Sequence, residues 1–529
     1  MSASSPSLAD RPFDRAAWPA TLALAFVVLG LRLIYLVWFC PYELVADEAQ
    51  YWDWSRRLDL SYYSKGPGVA WSIAAATWGC GVSEWAVRVP AALSSFVATL
   101  ALARLATRLT GGDERVGFVA AVLYQAAPVF YATSQFMTID SPYFACWILA
   151  AAAGWRIAAG RRRAADWLLL GAALGVGVLF KYTILLLAPG VFAFLWRRSV
   201  GLSARQKTAG FLLALAAVLA VASPVFVWNI RHGWPTVAHL LGNAGLPGGD
   251  TAPPVHRMWN PLWTLGYLFY PFVVLGPAIG AVLIIVMRDR RREAAPGPAL
   301  AYALYTAVPV AVFYVLVSFA TDIKLNWPVG GYTLLLVPVA EWIVRGAAVD
   351  RHARAAWRWA LGIGAVCALG VSFGKWPLDR FAELRVGERR LAETPIMTRV
   401  SGHRVWAERV ARYADEVARE TGRTPFFVGK DHAVAALLAF YAPSRPVVYS
   451  AGHLFGGRES AYDYFADTCL TDAALLGRPA ILVGAQAWDW TRVLRLDSIQ
   501  RAPVEGRIFA GYGYGGPVRG APGPSKGDG

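Results

Sequence analysis

Charged residues are scarce in this sequence. Of its 529 residues only 16% are Asp, Glu, Lys or Arg, whereas 56% are hydrophobic, and the mean hydropathy is +0.41. This composition excludes a disordered chain and a set of ordinary soluble domains, because both carry a larger share of charged residues. It indicates an integral membrane protein, and the 23 Trp, 22 Tyr and 25 Phe residues suit a chain that meets two membrane interfaces.

Two kinds of binding site are also missing. The five cysteines show no Cys-x-x-Cys pair and no metal-ligand spacing, which argues against a cysteine-bound metal centre. The sequence contains no GxxxxGK[ST] loop that would bind nucleotide phosphates.

Long apolar runs divide the first 375 residues. A helix needs about 20 apolar residues to cross the hydrocarbon layer, and these runs predict eleven membrane spans. The short runs at 165–180 and 183–196 are interpreted as a hairpin, because one fused span would put two basic clusters on opposite faces. The spans are predicted at 17–39, 85–104, 116–133, 140–159, 165–180, 183–196, 208–228, 262–287, 299–320, 328–344 and 359–374.

The basic residues predict the orientation of these spans. Lys and Arg accumulate in cytoplasmic loops, and alternate loops of this chain carry 21 and 8 of them. The formal net charge of +16 is therefore mainly a topology signal, and nucleic acid is not expected as a partner. The pattern predicts a cytoplasmic N-terminus and places the region after residue 375 on the opposite, outer face.

The region after residue 375 has a different pattern. Residues 403–421 have helical spacing, and short apolar runs around a helix at 433–441 predict a β-α-β unit, with another strand at 480–484. We predict an all-α polytopic membrane protein with a small C-terminal extracytoplasmic α/β domain. Its regions are a cytoplasmic tail at 1–16, a transmembrane domain at 17–375 with its first external loop at 40–84, the α/β domain at 376–510 and a disordered tail at 511–529.

Polar residues that are costly near a membrane gather on the predicted outer face. The first external loop carries Asp47 and Glu48 at the start of an aromatic helix, with Tyr51 on the same helical face as Asp47. Adjacent carboxylates near a membrane surface suit a general base, because burial and repulsion raise the pKa of one of them. The alternative is structural: an Asp N-cap followed by a Glu in the first turn.

The same loop continues into a turn of sequence Tyr-Tyr-Ser-Lys-Gly-Pro-Gly, which contains Tyr63 and Lys65. The lysine either pairs with a phosphate or snorkels to the membrane interface. Asp140, at the mouth of the fourth span, either caps the helix or orients substrate or a metal. The two readings stay open at both positions.

Two more segments add polar residues to this face. Lys181 and Tyr182 lie at the turn of the short hairpin, where a lone ammonium needs a partner. Lys324 and Asn326 lie in the loop before the tenth span, which is otherwise a plain interfacial turn with a Trp anchor. Together the sites predict a pocket with base-like carboxylates and lysines, which fits an anionic, lipid-borne substrate.

The ordered set of motifs resembles the bacterial members of glycosyltransferase family 39, the protein-mannosyltransferase-like enzymes related to aminoarabinose and galacturonic acid transferases of lipid A. The motifs are Ala-Asp-Glu-Ala-Gln-Tyr-Trp at 46–52, Tyr-Tyr-Ser-Lys-Gly-Pro at 62–67, Met-Thr-Ile-Asp-Ser-Pro at 137–142, Lys-Tyr-Thr at 181–183 and Asn-Trp-Pro at 326–328. The resemblance covers nearly the whole chain. It implies the GT-C fold, a bacterial inner membrane, a polyprenyl-phosphate sugar donor and inversion at the anomeric carbon.

The resemblance also implies roles for single residues. Asp47 matches the candidate catalytic base, and Lys65 matches a lysine that contacts the donor phosphate, although many family members have His-Pro-Pro where this chain has Lys-Gly-Pro. The expected site residues are Asp47, Glu48 and Asp140 for catalysis, Lys65, Lys181 and Tyr63 for the donor phosphate, and Tyr51, Tyr182, Lys324 and Asn326 for the substrate pocket.

The expected partners are a polyprenyl-phosphate sugar donor, membrane lipids and an acceptor that is an envelope lipid, a glycan or a protein. No cofactor is demanded, and a divalent cation near Asp47 or Asp140 is an open alternative. The alternative function is a transporter or flippase of lipid-linked sugars. The gathering of polar residues at one face and the lack of an internal repeat disfavour it.

Overall fold

The computed structural model describes residues 17–161, 163–199, 201–250, 259–290, 297–347, 349–386, 389–391 and 394–518. The predicted cytoplasmic tail at 1–16 and the end of the predicted disordered tail, 519–529, lie outside these residues. The described chain is mainly helical, as predicted.

Twenty-two α-helices lie in the described part of the chain. They are α1 (Ala17–Ile34), α2 (Ala46–Ser55), α3 (Gly68–Cys80), α4 (Glu84–Leu109), α5 (Glu114–Ala126), α6 (Pro128–Gln135), α7 (Asp140–Ala158), α8 (Ala164–Phe180), α9 (Leu187–Arg198), α10 (Ala204–Arg231), α11 (Pro235–Asn243), α12 (Pro261–Val274), α13 (Pro277–Arg290), α14 (Pro298–Val317), α15 (Val329–Tyr332), α16 (Leu336–Gly346), α17 (Arg351–Phe373), α18 (Lys375–Arg380), α19 (Pro395–Thr398), α20 (His403–Thr421), α21 (His432–Tyr441) and α22 (Ala487–Val493). The strands are β1 (Arg385–Val386), β2 (Arg389–Arg390), β3 (Phe426–Gly429), β4 (Val448–Ser450), β5 (Ala480–Val483), β6 (Ser498–Arg501) and β7 (Ile508–Tyr512).

The chain forms two compact units. Among the described residues, unit 1 takes those within 17–40, 88–226 and 259–374, and unit 2 takes those within 41–87, 227–250 and 375–518. Unit 2 therefore joins the predicted first external loop and the segment after α10 to the C-terminal region. The membrane side on which each region lies stays a prediction.

Five helical segments in the described residues are long and apolar enough to cross a membrane, and two bent helix pairs raise this number to seven. The apolar helical character is confirmed, whereas the predicted count of eleven spans is not. Large apolar side chains on these helices point outward, including Phe26 and Leu31 of α1, Leu212 of α10 and Val366 of α17. Such side chains suit contact with lipid rather than with water.

The predicted span at 262–287 is sharply bent, because α12 and α13 meet at an angle of 108°. Gly276 has a φ of +90°, a left-handed conformation that favours glycine, and Pro277 begins the next helix. The predicted span at 116–133 is also broken, by 66° at the junction that precedes Pro128. Average hydropathy over a window does not detect either turn.

Glycines let two short helices pack closely against their neighbours: α8 against α10, and α9 against α14. A Cβ atom on Gly190 of α9 would lie 1.9 Å from the Tyr305 carbonyl oxygen of α14. A Cβ atom on Gly171 of α8 would lie 2.2 Å from the Ala214 carbonyl oxygen of α10. Glycine permits this approach of two backbones, as in many membrane helix pairs. Between α8 and α9 the backbone is extended at Lys181, so the predicted break there is confirmed.

The C-terminal part of unit 2 contains a five-stranded sheet of order β4-β3-β5-β7-β6. β3 is parallel to β4 and β5, and α21 connects β3 to β4, which confirms the predicted β-α-β unit. β7 is antiparallel to both β5 and β6. Apolar residues from these strands and from α22 form the core, among them Phe426, Leu482, Trp490 and Phe509.

Two details of the C-terminal region differ from the prediction. Disorder from residue 511 is wrong for the described residues, because β7 extends to Tyr512 and Pro517 pairs with Leu494. In α20 the burial departs from the helical spacing of the apolar residues: Val410 and Val417 are buried, whereas Val405 is exposed. The alternation of charged and apolar residues in this helix left the edge of its buried face poorly defined.

Candidate functional site

In unit 1, three predicted site residues form one hydrogen-bonded cluster. The Lys181 ammonium donates to Asp140 Oδ1 at 2.8 Å and to the Asn326 carbonyl oxygen at 2.9 Å. The Asn326 side-chain amide donates to Asp140 Oδ2 at 2.9 Å. Asp140 is 2% exposed and Lys181 is 9% exposed, so a charge-balanced pair is buried here. The lysine therefore has the partner that its position demanded.

The local chain path explains how this cluster forms. Asp140 is the first residue of α7 rather than its N-cap, and its backbone amide donates to Thr138 Oγ1 at 3.2 Å. Lys181 is the C-cap residue that follows α8, and its ammonium lies 5.2 Å from the Tyr143 ring centroid. The cluster thereby fixes the ends of two helices and the loop that carries Asn326.

The other two predicted residues of unit 1 lie beside this cluster in sequence but not in it. Tyr182 begins the short 3₁₀ turn after Lys181 and is half-buried. Lys324 is exposed, with its ammonium 5.8 Å from the Trp327 ring centroid. Lys324 thus matches the interfacial alternative in its local contacts.

In unit 2, the carboxylate pair at the start of α2 separates into two environments. The helix N-cap is Val45, whose amide donates to Glu48 Oε2 at 3.1 Å, and Glu48 is fully buried. Asp47 is exposed, and no hydrogen bond joins its carboxylate to another described residue. Glu48 therefore helps to cap α2, although the N-cap is Val45 and not Asp47 as in the structural alternative. Asp47 is accessible to a reactant.

α2 is held firmly by the rest of unit 2. The Trp52 ring contacts Phe440 of α21 edge to face, with centroids 4.8 Å apart. The fully buried Asp53 accepts from Arg56 at 3.2 Å and from Arg57 at 2.9 Å. Arg57 also pairs with Asp467 at 2.7 Å. These contacts give the helix that bears Asp47 little freedom to move relative to the C-terminal region.

The remaining face of α2 joins it to the turn that carries Lys65. Trp54 stacks on the Tyr62 ring at 4.6 Å, and Tyr51 packs against Trp54 at 5.2 Å. The amide of Tyr62 donates to the Lys65 carbonyl oxygen at 3.0 Å, and the Ser61 hydroxyl donates to the same oxygen at 3.2 Å. Asp47 and Lys65 therefore lie on two backbone segments joined by a buried aromatic stack.

Tyr63 connects this turn to residues that the sequence analysis did not single out. Its hydroxyl donates to Asp250 Oδ2 at 2.5 Å, and the Nδ1 atom of His239 lies 2.8 Å from the same oxygen. Burial, followed by the neighbouring Lys65, lowers the pKa of His239 to about 4. The phosphate contact of Tyr63 stays a prediction, and in this structure its hydroxyl donates to a carboxylate.

A second histidine escaped the sequence analysis. His432 is the first residue of α21, and burial lowers its pKa, while the charges of Asp431 and Asp47 raise it. The signals for His239 and His432 were weak, because each is an isolated residue in an apolar helical segment. Asp250 follows a Gly-Gly pair, which predicts only a loop.

The divalent cation stays a prediction. Among the described residues, no group of three or more His, Cys, Asp and Glu side chains has a geometry suited to a metal ion. Both carboxylate oxygens of Asp140 already accept hydrogen bonds from Lys181 and Asn326. Asp47 offers a single exposed carboxylate.

Residues 64–228 match the family model described as dolichyl-phosphate-mannose-protein mannosyltransferase. The chain is 29% identical over 324 residues to the lipid A galacturonosyltransferase RgtD of Rhizobium johnstonii, covering 60% of this chain and 64% of that protein. It is 28% identical over 318 residues to the undecaprenyl phosphate-alpha-4-amino-4-deoxy-L-arabinose arabinosyl transferase of Pseudomonas aeruginosa, covering 55% of each. The chain thus spans less than two thirds of the length of these curated relatives.

The fold has a match over a longer range. The crystal structure of ArnT from Cupriavidus metallidurans bound to undecaprenyl phosphate superposes with a TM-score of 0.59, at 16% identity, over 96% of this chain and 99% of that one. Residues 64–228 thus resemble the protein-mannosyltransferase family, and the fold of the chain resembles that of ArnT. The family model covers Lys65, Asp140 and Lys181 but begins after Asp47 and ends before Asn326.

Proposed function

We propose that this chain is a membrane glycosyltransferase that transfers a sugar from a polyprenyl-phosphate donor to an acceptor hydroxyl on the outer face of a bacterial inner membrane. The observation that carries this proposal is the exposed Asp47 on a rigid helix that an aromatic stack joins to the Lys65 turn. The match to the mannosyltransferase family model, the similarity to a lipid A galacturonosyltransferase and the similarity to an arabinosyl transferase named for an undecaprenyl-phosphate sugar support it.

Asp47 is the proposed general base. It takes the proton from the acceptor hydroxyl while that oxygen attacks the anomeric carbon from the face opposite the phosphate. Of the three predicted acidic residues, Asp47 alone is exposed, because Glu48 caps α2 and Asp140 is buried against Lys181. A free carboxylate can receive a proton without first breaking a structural hydrogen bond.

Lys65 is the proposed partner of the departing phosphate. As the bond between the anomeric carbon and the phosphate oxygen breaks, its electron pair stays on the phosphate, and a nearby ammonium stabilises the added charge. Phosphate is already a fair leaving group, so this mechanism needs no general acid. Inversion at the anomeric carbon follows from a single displacement.

Lys181 and Asp140 receive a different proposal. Two of the three ammonium donors of Lys181 are committed to Asp140 and Asn326, so we assign the pair to holding the 322–328 loop in place. A direct phosphate contact by Lys181 would use its third donor. Tyr182 and Lys324 stay predicted pocket residues, and Tyr51 supports α2 through Trp54.

The sugar, the acceptor and the membrane side are the finer parts of the proposal. The relatives named above suggest uronic acid or amino sugars and lipid A as substrates to be tested first. The basic residues of alternate loops support a cytoplasmic N-terminus, and therefore a periplasmic position for the region after residue 375.

The test is a transfer assay with the purified protein in nanodiscs. The protein is incubated with a panel of undecaprenyl-phosphate sugars and with lipid A, a glycan or an acceptor peptide, and the released undecaprenyl phosphate is measured. We expect release that depends on both the sugar donor and one acceptor. No release with any donor and acceptor pair would contradict the proposal.

A transporter of lipid-linked sugars is the second candidate, and one observation favours it. The 108° bend between α12 and α13 resembles the broken helices that form transport sites. A transporter would move the intact sugar lipid between leaflets and release no undecaprenyl phosphate. Measuring leaflet exchange and phosphate release in the same proteoliposomes separates the two functions.

A further inference from the structure

Asp250 is the centre of a buried hydrogen-bond chain. Its Oδ2 atom accepts from the Tyr63 hydroxyl at 2.5 Å and lies 2.8 Å from His239 Nδ1. The side chains of Asp250 and His239 are 9% and 4% exposed. Hydrogen bonds to a charged acceptor are about twice as strong as those between neutral groups. A chain of this kind holds its members in one geometry.

The protonation state of His239 follows from its two neighbours. The Asn243 amide nitrogen lies 3.0 Å from His239 Nε2 and donates to it, so the ring proton is on Nδ1 and is donated to Asp250. Burial, and then the nearby Lys65 ammonium, lower the pKa of this imidazole to about 4. His239 is therefore neutral near pH 7, and it adds no positive charge beside Lys65.

This series of hydrogen bonds ends at Tyr63, two residues before Lys65 in the sequence. Tyr63 is 3% exposed, and its hydroxyl is tied to Asp250, while the Lys65 carbonyl oxygen accepts from Tyr62 and Ser61. Hydrogen bonds among its own residues thus close the turn that carries Lys65. The bond from Tyr63 to Asp250 also fixes this turn to the 227–250 segment. Without Asp250, the second restraint on the turn disappears.

We propose that Asp250 is a positioning residue for donor binding, which acts through Tyr63 to hold the Lys65 ammonium where the lipid phosphate binds. His239 and Asn243 complete the restraint by fixing the orientation of the Asp250 carboxylate. This inference rests on the proposed function of Lys65 and adds the segment after α10 to the parts of the chain that determine donor affinity.

Comparing Asp250→Asn with Asp250→Ala shows whether donor binding depends on the hydrogen bonds of Asp250 or on its charge. Its amide oxygen can accept the same two hydrogen bonds, whereas alanine removes both. Asp250→Asn should therefore retain much of the donor affinity that Asp250→Ala loses. Tyr63→Phe removes the hydroxyl at the other end of the bond and leaves the ring in place. Because both Tyr63→Phe and Asp250→Ala break the same bond, their effects should not add.

A matched control lies close by. The hydroxyl of Tyr464 donates to Glu459 Oε2 at 2.5 Å, the same length as the bond from Tyr63 to Asp250. The two tyrosine rings stack with centroids 5.7 Å apart, and phenylalanine keeps that contact. Tyr464→Phe thus removes an equal tyrosine–carboxylate bond that does not involve the Lys65 turn.

The experiment measures the Kd of undecaprenyl phosphate, the phosphate-bearing lipid without its sugar, for each full-length variant in nanodiscs. We expect Tyr63→Phe, Asp250→Ala and the double variant each to weaken binding by about tenfold, with Asp250→Asn and Tyr464→Phe near wild type. Equal thermal midpoints for Tyr63→Phe and Tyr464→Phe would show that the weakening is not a folding defect.

The outcomes separate this inference from the proposed function. Wild-type affinity in Tyr63→Phe and Asp250→Ala, together with weak binding by Lys65→Ala, would overturn the positioning role but leave the phosphate role of Lys65 intact. Wild-type affinity in Lys65→Ala would overturn both. A full sum of losses in the double variant would also overturn it, because the two residues would then act separately.

Discussion

Replacing Lys181 with methionine tests whether the buried cluster of unit 1 is structural. Methionine keeps the length of the side chain but removes the ammonium that donates to Asp140 at 2.8 Å and to Asn326 at 2.9 Å. Asp140, 2% exposed, is then left without a countercharge. Removing one partner of a buried ion pair costs about 3–5 kcal/mol, so we expect the free energy of unfolding to fall by that amount.

The assay is a denaturant titration in detergent, followed by tryptophan fluorescence, on a double-mutant cycle. Adding Asp140→Asn to Lys181→Met removes the orphaned charge and should recover part of the loss. The control is Lys324→Met, which removes an exposed lysine of the neighbouring loop and should change stability by less than about 1 kcal/mol. Equal stability of Lys181→Met and Lys324→Met would refute the structural role.

Three further results are expected. Lys65→Ala should raise the donor KM by about tenfold or more and leave the acceptor KM unchanged. Initial rates at varied donor concentration check this prediction, and an unchanged donor KM contradicts the phosphate role. Glu48→Gln should keep transfer within a few fold, because glutamine still accepts from the Val45 amide; loss of turnover with an intact fold would make Glu48 catalytic. The pKa of His239 is about 4 in the folded protein, against an ordinary value of 6.5. As the pH drops from 6.5 to 4, the unfolded chain binds this proton before the folded protein does, so the free energy of unfolding should fall by up to about 3 kcal/mol. The pH dependence of unfolding should be flatter in His239→Gln, and an equal dependence would show that another group titrates.

Much of the architecture could be predicted because hydropathy and local periodicity report directly on it. The helix at 403–421 and the β-α-β unit follow from spacing and length alone. For Asp140, Lys181 and Asn326, the sequence predicted only that they lie on the same face of the membrane. The structure adds the hydrogen bonds among them. Their pairing depends on side-chain distances that no one-dimensional pattern contains.

Three other features were not predicted, because each depends on a backbone angle, a distant contact or the exact first residue of a helix. The bend at Gly276 depends on one backbone angle inside an apolar run, and hydropathy does not change there. The bond between Tyr63 and Asp250 joins residues 187 positions apart. Separating Asp47 from Glu48 required knowing that the helix begins at Ala46, since a shift of one residue exchanges the capping carboxylate.

The most direct test of the account is the turnover of Asp47→Asn beside Glu48→Gln. Both replace a carboxylate by its amide in the first turn of α2, so a general effect of lost charge would appear in both. We expect Asp47→Asn to lose at least about a hundredfold in kcat while binding undecaprenyl phosphate as wild type does, and Glu48→Gln to stay active. Near-normal turnover by Asp47→Asn would contradict the assignment of the base, and with it the proposed mechanism.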